Sequence, residues 1–358
     1  MGIRLAKEKR DNNKKSVWYS ITHSRNMDRK EYFRLLKGVR TFLIAAIVIG
    51  FLVFIGVGLF GGIGQVYTTI LSANPYIYVF AFIFMLCCFA IRFIKWDYYL
   101  KTLGLHIPTA KNLQIYLSLY SMDLTPGKIG RIISAYTLNR ITKKKLASII
   151  PIVTMDIFTD FLGYGIVALA AAVYFRIDVL YILGVDILLI LPFLFFINSW
   201  VYNSLKKVFN NGFIKQFTIY GDEYFASQGT LNNPKVYAVS LLVSIPAAFI
   251  EALALYASSL SIGLTPTVGK SVLVYSITEL VGMISAIPGA IGVQDGLLVA
   301  FTGNILGYDK VTASAVTIMT RLATLWFGIA IGMVFLVYTF RYWDKEKKSK
   351  DARKQKHR

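Results

Sequence analysis

The chain has 358 residues, of which 56% are hydrophobic and 16% charged, whereas about a quarter are charged in an average soluble domain. Its formal net charge of +20 could suggest nucleic-acid binding. However, the lysines and arginines concentrate in two tails and in short loops beside apolar stretches, as in the cytoplasmic segments of membrane proteins. The composition therefore predicts an integral membrane protein with no nucleic-acid partner.

Metal and cofactor sites are not expected from this sequence. Cys87 and Cys88 are neighbours inside an apolar stretch, and His23, His106 and His357 are scattered, so they lack the spacing of metal ligands. The sequence also contains no nucleotide-binding loop or nucleophile motif in a plausible setting. We therefore predict no metal, no cofactor and no enzymatic activity.

Six apolar stretches have about the 20 residues that a helix needs to cross a hydrocarbon core of about 30 Å. They lack the alternation of apolar and polar residues that barrel strands would show, so we predict helices. In chain order the predicted spans are 40–62, 75–95, 146–175, 177–198, 235–260 and 310–340. We predict a loop after the first span and a basic, aromatic membrane interface with Arg92, Lys95 and Trp96 at the end of the second.

Charge and polarity divide the chain into five parts. Residues 1–39 are predicted to be a basic cytoplasmic tail that ends in an amphipathic helix on the membrane surface. A first membrane repeat, 40–198, and a second, 235–340, are joined by a cytoplasmic connector, 199–234. A second basic cytoplasmic tail is predicted at 341–358.

Two further segments, 108–139 and 268–306, are interrupted by proline and glycine. Pro126-Gly127 and Pro288-Gly289 should each end a helix, which leaves pieces shorter than a comfortable span. Both interruptions read Pro-Gly-x-Ile-Gly, and the second begins 162 positions after the first. The repeated motif, at the same place in each half, predicts an internal duplication in which the Pro-Gly pairs shape the backbone rather than bind ligand.

The basic residues beside the spans indicate an orientation in the membrane. If each broken segment enters and leaves on one side, the basic loop at 140–145, the connector and both chain ends face the cytoplasm. The two broken segments then enter from opposite sides. The predicted fold is an all-α polytopic plasma-membrane protein with six full spans and two re-entrant or short paired broken segments in inverted repeats.

Ionisable residues at membrane depth are costly, so each one is a candidate for function. Asp156 and Asp160 are four residues apart and share one helix face, where Arg131 or Arg321 could pair with them. Basic residues could hold an anionic headgroup in a water-accessible cavity, or ion pairs could simply fix the broken segments. The predicted substrate-binding residues are Lys128, Arg131, Asp156, Asp160, Asp295 and Arg321, with Glu251 and Glu279 as further candidates.

The motifs around the two interruptions resemble those of a known family. Similar motifs occur in the lysylphosphatidylglycerol synthase transmembrane region, or flippase-like domain family: Pro126-Gly127-Lys128-Ile129-Gly130, Ala135-Tyr136, the segment Pro288-Gly289-Ala290-Ile291-Gly292-Val293-Gln294-Asp295-Gly296, and Arg321. The resemblance covers about 40–340 and implies movement of lipids or lipid-linked molecules between leaflets. By matching position it implies four cavity residues: Lys128, Arg131, Asp295 and Arg321.

Three departures from the family pattern alter the charge of the expected cavity. Arg131 stands where an acidic residue is expected, Gln294 where a basic residue is common, and Ile157 follows Asp156 in place of an arginine. The headgroup preference of the family is therefore not carried over. Aminoacyl transfer is not carried over either, because the soluble transferase domain of the better-known members has no counterpart after the last span.

These observations predict a non-enzymatic lipid flippase or scramblase-like transporter that alternately exposes a midplane cavity to the two sides. Its predicted partners are membrane lipids with an anionic or lipid-linked headgroup. The protein could also form a homo-oligomer or bind a partner enzyme. One alternative is a secondary transporter of a small solute or ion that uses Asp156 and Asp160. A membrane enzyme acting on lipid-linked substrates and an accessory subunit of such an enzyme are the others.

Overall fold

The computed structural model describes residues 29–176, 215–285 and 287–339, together with positions 184 and 187, and these residues form helices and no strands. The helices are α1 (Arg29–Gly61), α2 (Ile63–Leu71), α3 (Pro75–Thr102), α4 (Thr109–Ser118), α5 (Ile132–Thr142), α6 (Leu146–Phe175), α7 (Lys215–Leu231), α8 (Pro234–Ser261), α9 (Val268–Ile284), α10 (Val293–Leu306) and α11 (Lys310–Thr339). A π-helical turn at Leu322–Trp326 lies within α11.

Six stretches of the described residues are long and apolar enough to cross a membrane, which confirms an all-helical polytopic fold. Five of them, in α1, α3, α6, α8 and α11, correspond to predicted spans. The predicted span 177–198 lies outside the described residues. The sixth stretch, Pro288–Leu306, belongs to the second broken segment. Within it α10 has 14 residues, which corresponds to about 21 Å and is shorter than the hydrocarbon core.

Two regions contain helices that the sequence analysis did not predict. The predicted loop after the first span is wrong, because Gly62, with a φ of 90°, turns the chain and the proline-free residues after it form α2. The buried Val66 helps to pack α2 against α11. In the predicted connector, α7 packs against α6. The predicted interfacial helix and the first span form one continuous helix, α1.

Helices α3 and α8 have the same length and the same kind of ends. Each has 28 residues and starts with an Asn-Pro pair, in which the side chain of Asn74 or Asn233 caps the helix and proline occupies the first turn. Each is followed by a glycine with positive φ, Gly104 or Gly263. Both the asparagines and the glycines are 159 positions apart, so the match extends the duplication signal to two whole helices.

The same two helices pack against each other in opposite directions. At one end the N–H of Asn74 donates to the carbonyl of Ser261 at 2.7 Å. At the other end the hydroxyl of Tyr99 donates to the hydroxyl of Ser240 at 2.7 Å. The start of each helix therefore lies beside the end of its counterpart. An inverted duplication would produce this arrangement, and the predicted inverted repeat remains a prediction.

Both Pro-Gly motifs lie within breaks between helices, and the preceding helices end at Ser118 and Ile284. Between α4 and α5 the chain forms 3-10 turns at Leu119–Met122 and Pro126–Arg131, and between α9 and α10 it forms one at Pro288–Ala290. The two Pro-Gly turns contact each other. A Cβ atom added at Gly289 would lie 3.1 Å from the buried side chain of Leu124, so the second Pro-Gly turn packs directly against the first broken segment inside the bundle.

Candidate functional site: a charged cavity between the broken segments

A cavity of about 230 Å³ lies where the two Pro-Gly turns meet. Apolar side chains such as Met85, Phe161 and Leu325 form part of its wall. Four bases and three acids also line it: Arg92, Lys128, Arg131, Arg321, Asp123, Glu251 and Glu279. A charged space between interrupted helices is the kind of site in which transporters hold a substrate.

The first Pro-Gly turn places Lys128 in an unusual backbone conformation at the cavity wall. The carbonyl of Thr125 accepts from the N–H of Lys128 at 3.0 Å, and the side-chain hydroxyl of Thr125 accepts from the N–H of Gly130 at 2.7 Å. A Cβ at position 130 would lie 2.5 Å from the Thr125 side chain, so this turn requires glycine there. Lys128 has a φ of 57°, a left-handed value that costs a residue with a side chain about 1–2 kcal/mol. Such strain is typical of functional positions.

Arg321 and Asp295 hold the second Pro-Gly turn in place. Arg321 donates to the carbonyl of Gly289 at 2.6 Å and to the side-chain oxygen of Gln294, and its Nε lies 3.1 Å from Oδ1 of Asp295. The other oxygen of Asp295 accepts from the N–H of Gly292 at 2.8 Å at the start of α10. One arginine therefore fixes both the turn and the first residues of α10.

A chain of ion pairs runs from the first turn into the centre of the bundle. Arg131 donates from Nε and Nη2 to the two oxygens of Asp123, at 2.7 and 2.9 Å, and from Nη1 to Asp156 at 3.3 Å. Lys95 follows, with its Nζ 3.1 Å from Asp156 and 2.6 Å from Asp160. Each buried charge therefore has an opposite neighbour, which offsets the cost of removing it from water.

The same chain ends at Glu251. Arg92 lies between two carboxylates, with Nε 3.4 Å from Asp160 and Nη1 2.8 Å from Glu251. The hydroxyls of Tyr164 and Tyr275 donate to the two oxygens of Glu251, at 2.6 and 2.9 Å. Glu251 therefore has one guanidinium and two hydroxyl partners, and the Cys88 thiol also donates to it at 3.4 Å. In the parts of the chain that the structure describes, no cluster of His, Cys, Asp and Glu is suited to a metal ion.

The structure separates the predicted site residues into two groups. Lys128, Arg131 and Arg321 line the cavity, as do the further candidates Glu251 and Glu279. Asp156, Asp160 and Asp295 are buried and lie outside the cavity lining, in ion pairs. The Pro-Gly turn residues Pro126, Gly127, Pro288 and Gly289 form the helix breaks.

Arg131 and Arg321 were suggested as cationic partners for Asp156 and Asp160, and the structure supports only the first. Arg131 does contact Asp156. The suggestion of Arg321 is wrong, because its guanidinium is held at the second turn by Asp295. The helix face of the two aspartates instead meets α3, which supplies Lys95 to both of them.

The sequence analysis missed three members of the ion-pair chain. Arg92 and Lys95 were predicted to lie at a membrane interface, and this is wrong: both are buried, and Lys95 is 0% exposed. The sequence did contain a signal for their position. Arg92 and Lys95 are three residues apart and share one helix face, and Asp156 and Asp160 need cationic partners at membrane depth. Asp123 was also missed, although it lies inside the first broken segment eight residues before Arg131.

Comparisons with known proteins agree with the resemblance of the motifs. The profile of the family described as the lysylphosphatidylglycerol synthase TM region matches residues 46–332. Two relatives from Methanothermobacter thermautotrophicus, each named a UPF0104 membrane protein, are 20% identical to this chain. One aligns over 84% of the chain and 93% of its own length, the other over 61% and 71%. The family match includes both broken segments and the charged cavity between them, and the chain therefore belongs to the family of lysylphosphatidylglycerol synthase transmembrane regions.

Proposed function

We propose that this protein moves a phosphate-bearing lipid or lipid-linked molecule between the two leaflets of the plasma membrane, without chemical change. The observation that carries the proposal is an accessible cation, Lys128, in a charged cavity at the meeting point of two broken helices. A headgroup needs a polar path across the hydrocarbon core, and a cavity between two interrupted helices can supply one.

Lys128 is the lining base best placed to meet a headgroup. Its side chain is 21% exposed, compared with 3% for Arg131 and for Arg321. The two arginines each have carboxylate partners within 3.1 Å, whereas the Nζ of Lys128 lies 3.4 Å from Glu279. A phosphate could replace that longer contact at a smaller cost than the shorter pairs. We therefore assign headgroup binding to Lys128 and positioning of the two turns to the arginines.

An apolar groove beside the cavity favours a lipid over a small solute. The groove has a volume of about 610 Å³ and lies between α1 and α10. Its lining contains no polar side chain: Ile49, Leu52, Val53, Gly56, Val57, Phe60, Gly292, Gly296, Val299 and Ala300. Gly289 and Ala290 line the charged cavity and Gly292 lines the groove, so a short piece of backbone separates the two. A headgroup and an acyl chain could therefore occupy adjacent sites.

A solute or ion transporter that uses Asp156 and Asp160 has less support. Both carboxylates are paired with Lys95, and their side chains are 3% and 5% exposed. Binding a free cation there would require displacing a fully buried lysine, which would leave its charge without a partner.

Replacing Lys128 with asparagine should slow lipid translocation by about tenfold or more. A hydrogen bond to a charged group contributes about 1.5–3 kcal/mol, and asparagine accepts a left-handed backbone, so the turn should persist. Purified protein in vesicles would be given tail-labelled phosphatidylglycerol or polyprenyl phosphate, and a membrane-impermeant quencher would report the outer-leaflet fraction over time. Lys310→Asn, at an exposed lysine at the start of α11, is the control expected to keep the wild-type rate. Equal rates for Lys128→Asn and wild type would contradict the proposal.

Filling the groove should also slow translocation while leaving the fold intact. A Cβ at Gly296 would meet nothing within 4 Å, so a leucine side chain there begins in the open space of the groove, and Gly296→Leu gains helix propensity of about 0.5–1 kcal/mol. We expect a rate reduction of about threefold or more in the same vesicle assay. Gly64→Leu, an equally open position on α2 outside the groove, should translocate lipid as wild type does. If both variants behave alike, the groove does not hold an acyl chain.

A further inference from the structure

The ion pair between Lys128 and Glu279 joins the two broken segments across the cavity. Lys128 belongs to the first Pro-Gly turn, and Glu279 belongs to α9, just before the second. The Nζ of Lys128 lies 3.4 Å from Glu279, and the two side chains are 21% and 12% exposed. The distance is longer, and the side chains are more accessible, than in the ion pairs that Lys95 forms with Asp156 and Asp160. The Lys128–Glu279 pair is therefore a contact that a ligand entering the cavity can open.

Glu279 is held less closely by a cation than Asp123 and Glu251, the other two acids of the cavity wall. Its second oxygen accepts from the neutral amide of Gln294 at 2.7 Å. Asp123, by contrast, receives two bonds from Arg131, and Glu251 pairs with Arg92 at 2.8 Å. If Lys128 turned to a phosphate, Glu279 would keep only a neutral hydrogen-bond partner. A carboxylate left in that state inside a membrane protein neutralises by taking a proton.

The charge balance of the cluster also favours a proton. In the described part of the chain, five bases and six acids form the ion pairs around the cavity: Arg92, Lys95, Lys128, Arg131 and Arg321, and Asp123, Asp156, Asp160, Glu251, Glu279 and Asp295. Counted as formal charges, the cluster therefore carries one excess negative charge. A phosphodiester would add a second, and a proton taken up at the same time would offset it.

We propose that Glu279 takes up one proton from water when a phosphodiester headgroup binds to Lys128, so that headgroup binding and proton binding are coupled at a single site. The inference deepens the proposed function and takes its substrate class from it. The proton goes to the Glu279 oxygen that Lys128 leaves, and release of the headgroup returns Lys128 and expels the proton. Through this coupling a proton gradient would drive the headgroup across the membrane.

Other titratable or charged groups that face this region have clear partners of their own. The groups that interact with Glu279, or with the side chains next to it, come from five elements: Lys128 from the first turn, Tyr164 from α6, Glu251 from α8, Tyr275 from α9 and Arg321 from α11. Both tyrosine hydroxyls donate to Glu251, and Arg321 is held by Asp295. Of the two lining glutamates, Glu279 is therefore the one that loses its cation when Lys128 moves.

The test measures binding of glycerophosphoglycerol, a soluble phosphodiester that keeps one negative charge through the neutral pH range. We expect its Kd for the purified wild-type protein to fall by up to about tenfold for each pH unit lowered between about pH 8 and pH 6, because one proton is bound with each ligand. In Glu279→Gln the affinity should change by less than about twofold over that range and should equal or exceed that of wild type at pH 8, because Lys128 is already free. Glu279→Asp, which keeps the carboxyl group, should restore the pH dependence.

The control is Asp309→Asn, which removes a carboxylate outside the cavity. Asp309 caps α11, and the N–H of Thr312 holds the pKa of its carboxyl below the usual value, so it stays ionised across this range. Asparagine is an equally good cap, and this variant should show the full wild-type slope. A wild-type Kd that varies less than about twofold with pH, no binding, or the same slope in Glu279→Gln would overturn the inference.

Transport measurements separate this inference from the proposed function. Translocation of tail-labelled phosphatidylglycerol that is independent of pH would retain the proposed function and overturn the coupling. Proton-linked binding of glycerophosphoglycerol without translocation of any lipid would support the coupling and contradict the flippase. Accumulation of glycerophosphoglycerol itself inside the vesicles would also support the coupling and would identify a free phosphodiester, rather than a lipid, as the substrate.

Discussion

Replacing Lys95 with methionine should lower the free energy of unfolding by about 3–5 kcal/mol, which is the cost of breaking a buried ion pair by removing one partner. The lysine is completely buried, and its Nζ contacts Asp156 and Asp160 and also donates to Thr159 and Ser244. Methionine fills a similar volume, so the expected loss comes from the two carboxylates left beside an apolar side chain rather than from a cavity. Thermal unfolding of the purified protein in detergent measures the effect.

Lys101→Met provides the matched control on the same helix. Lys101 lies near the exposed end of α3, where its side chain is 64% exposed and pairs with Asp97 at 2.6 Å. Exposed pairs of this kind contribute about 0–1 kcal/mol, so the change in stability should be small. The double variant Lys95→Met, Asp160→Asn should recover part of the lost stability, because it removes one of the two carboxylates that lose Lys95, and the other, Asp156, still contacts Arg131. If Lys95→Met proved as stable as Lys101→Met, the ion-pair chain would not stabilise the fold.

A single methyl group at Gly332 should disrupt the contact between α11 and the first broken segment. A Cβ there would lie 2.1 Å from the backbone nitrogen of Ser121 and 2.7 Å from the carbonyl carbon of Tyr120. These are backbone atoms and cannot rotate away, so one of the two elements must shift. We expect Gly332→Ala to destabilise the protein by about 1–3 kcal/mol or more. It should also abolish translocation, because the Leu119–Met122 turn must shift and the Pro126–Arg131 turn that carries Lys128 packs against it.

The control for this prediction lies one helical turn earlier. A Cβ at Gly328 would make ordinary contacts, the nearest at 3.5 Å from the ring of Phe89. Gly328→Ala should therefore be neutral or slightly stabilising, because alanine is the better helix former. Melting temperature and vesicle translocation measured on both variants test the pair. A Gly332→Ala protein with wild-type stability and rate would show that α11 and the first broken segment do not approach this closely.

The helix breaks and the main spans follow from the sequence because their causes are local. Proline and glycine interrupt a helix wherever they occur together. An apolar run of about 20 residues can cross the hydrocarbon core as a helix regardless of which other helices pack against it. Helix α6, predicted at 146–175, has those bounds in the structure. Helix α2 was missed because it has only nine residues, too few for a membrane span, and because its helical state depends partly on packing against α11.

The candidate site was harder to predict because it depends on which side chains meet. Lys95 lies near the end of an apolar run, where a lysine usually reaches the membrane surface. Only the packing of α3 against α6 and α8 shows that it is buried. The correspondence between α3 and α8 was available in the sequence, as Asn-Pro pairs and glycines that recur at one interval of 159 positions. Caps and turn glycines are nevertheless weak signals until the helix bounds are known.

The pairing of charges around the cavity determines how the membrane voltage acts on this protein. A unit charge that crosses the whole membrane gains or loses about 2.3 kcal/mol per 100 mV. Within this cluster the two broken segments and Arg321 supply three bases and three acids, in the pairs Arg131–Asp123, Lys128–Glu279 and Arg321–Asp295. A rocking of these elements would therefore displace little gating charge. The membrane potential would then act mainly on what the cavity carries. A phosphodiester that travels with one proton is itself electrically neutral, so such a carrier would respond to a difference in acidity and be nearly indifferent to voltage.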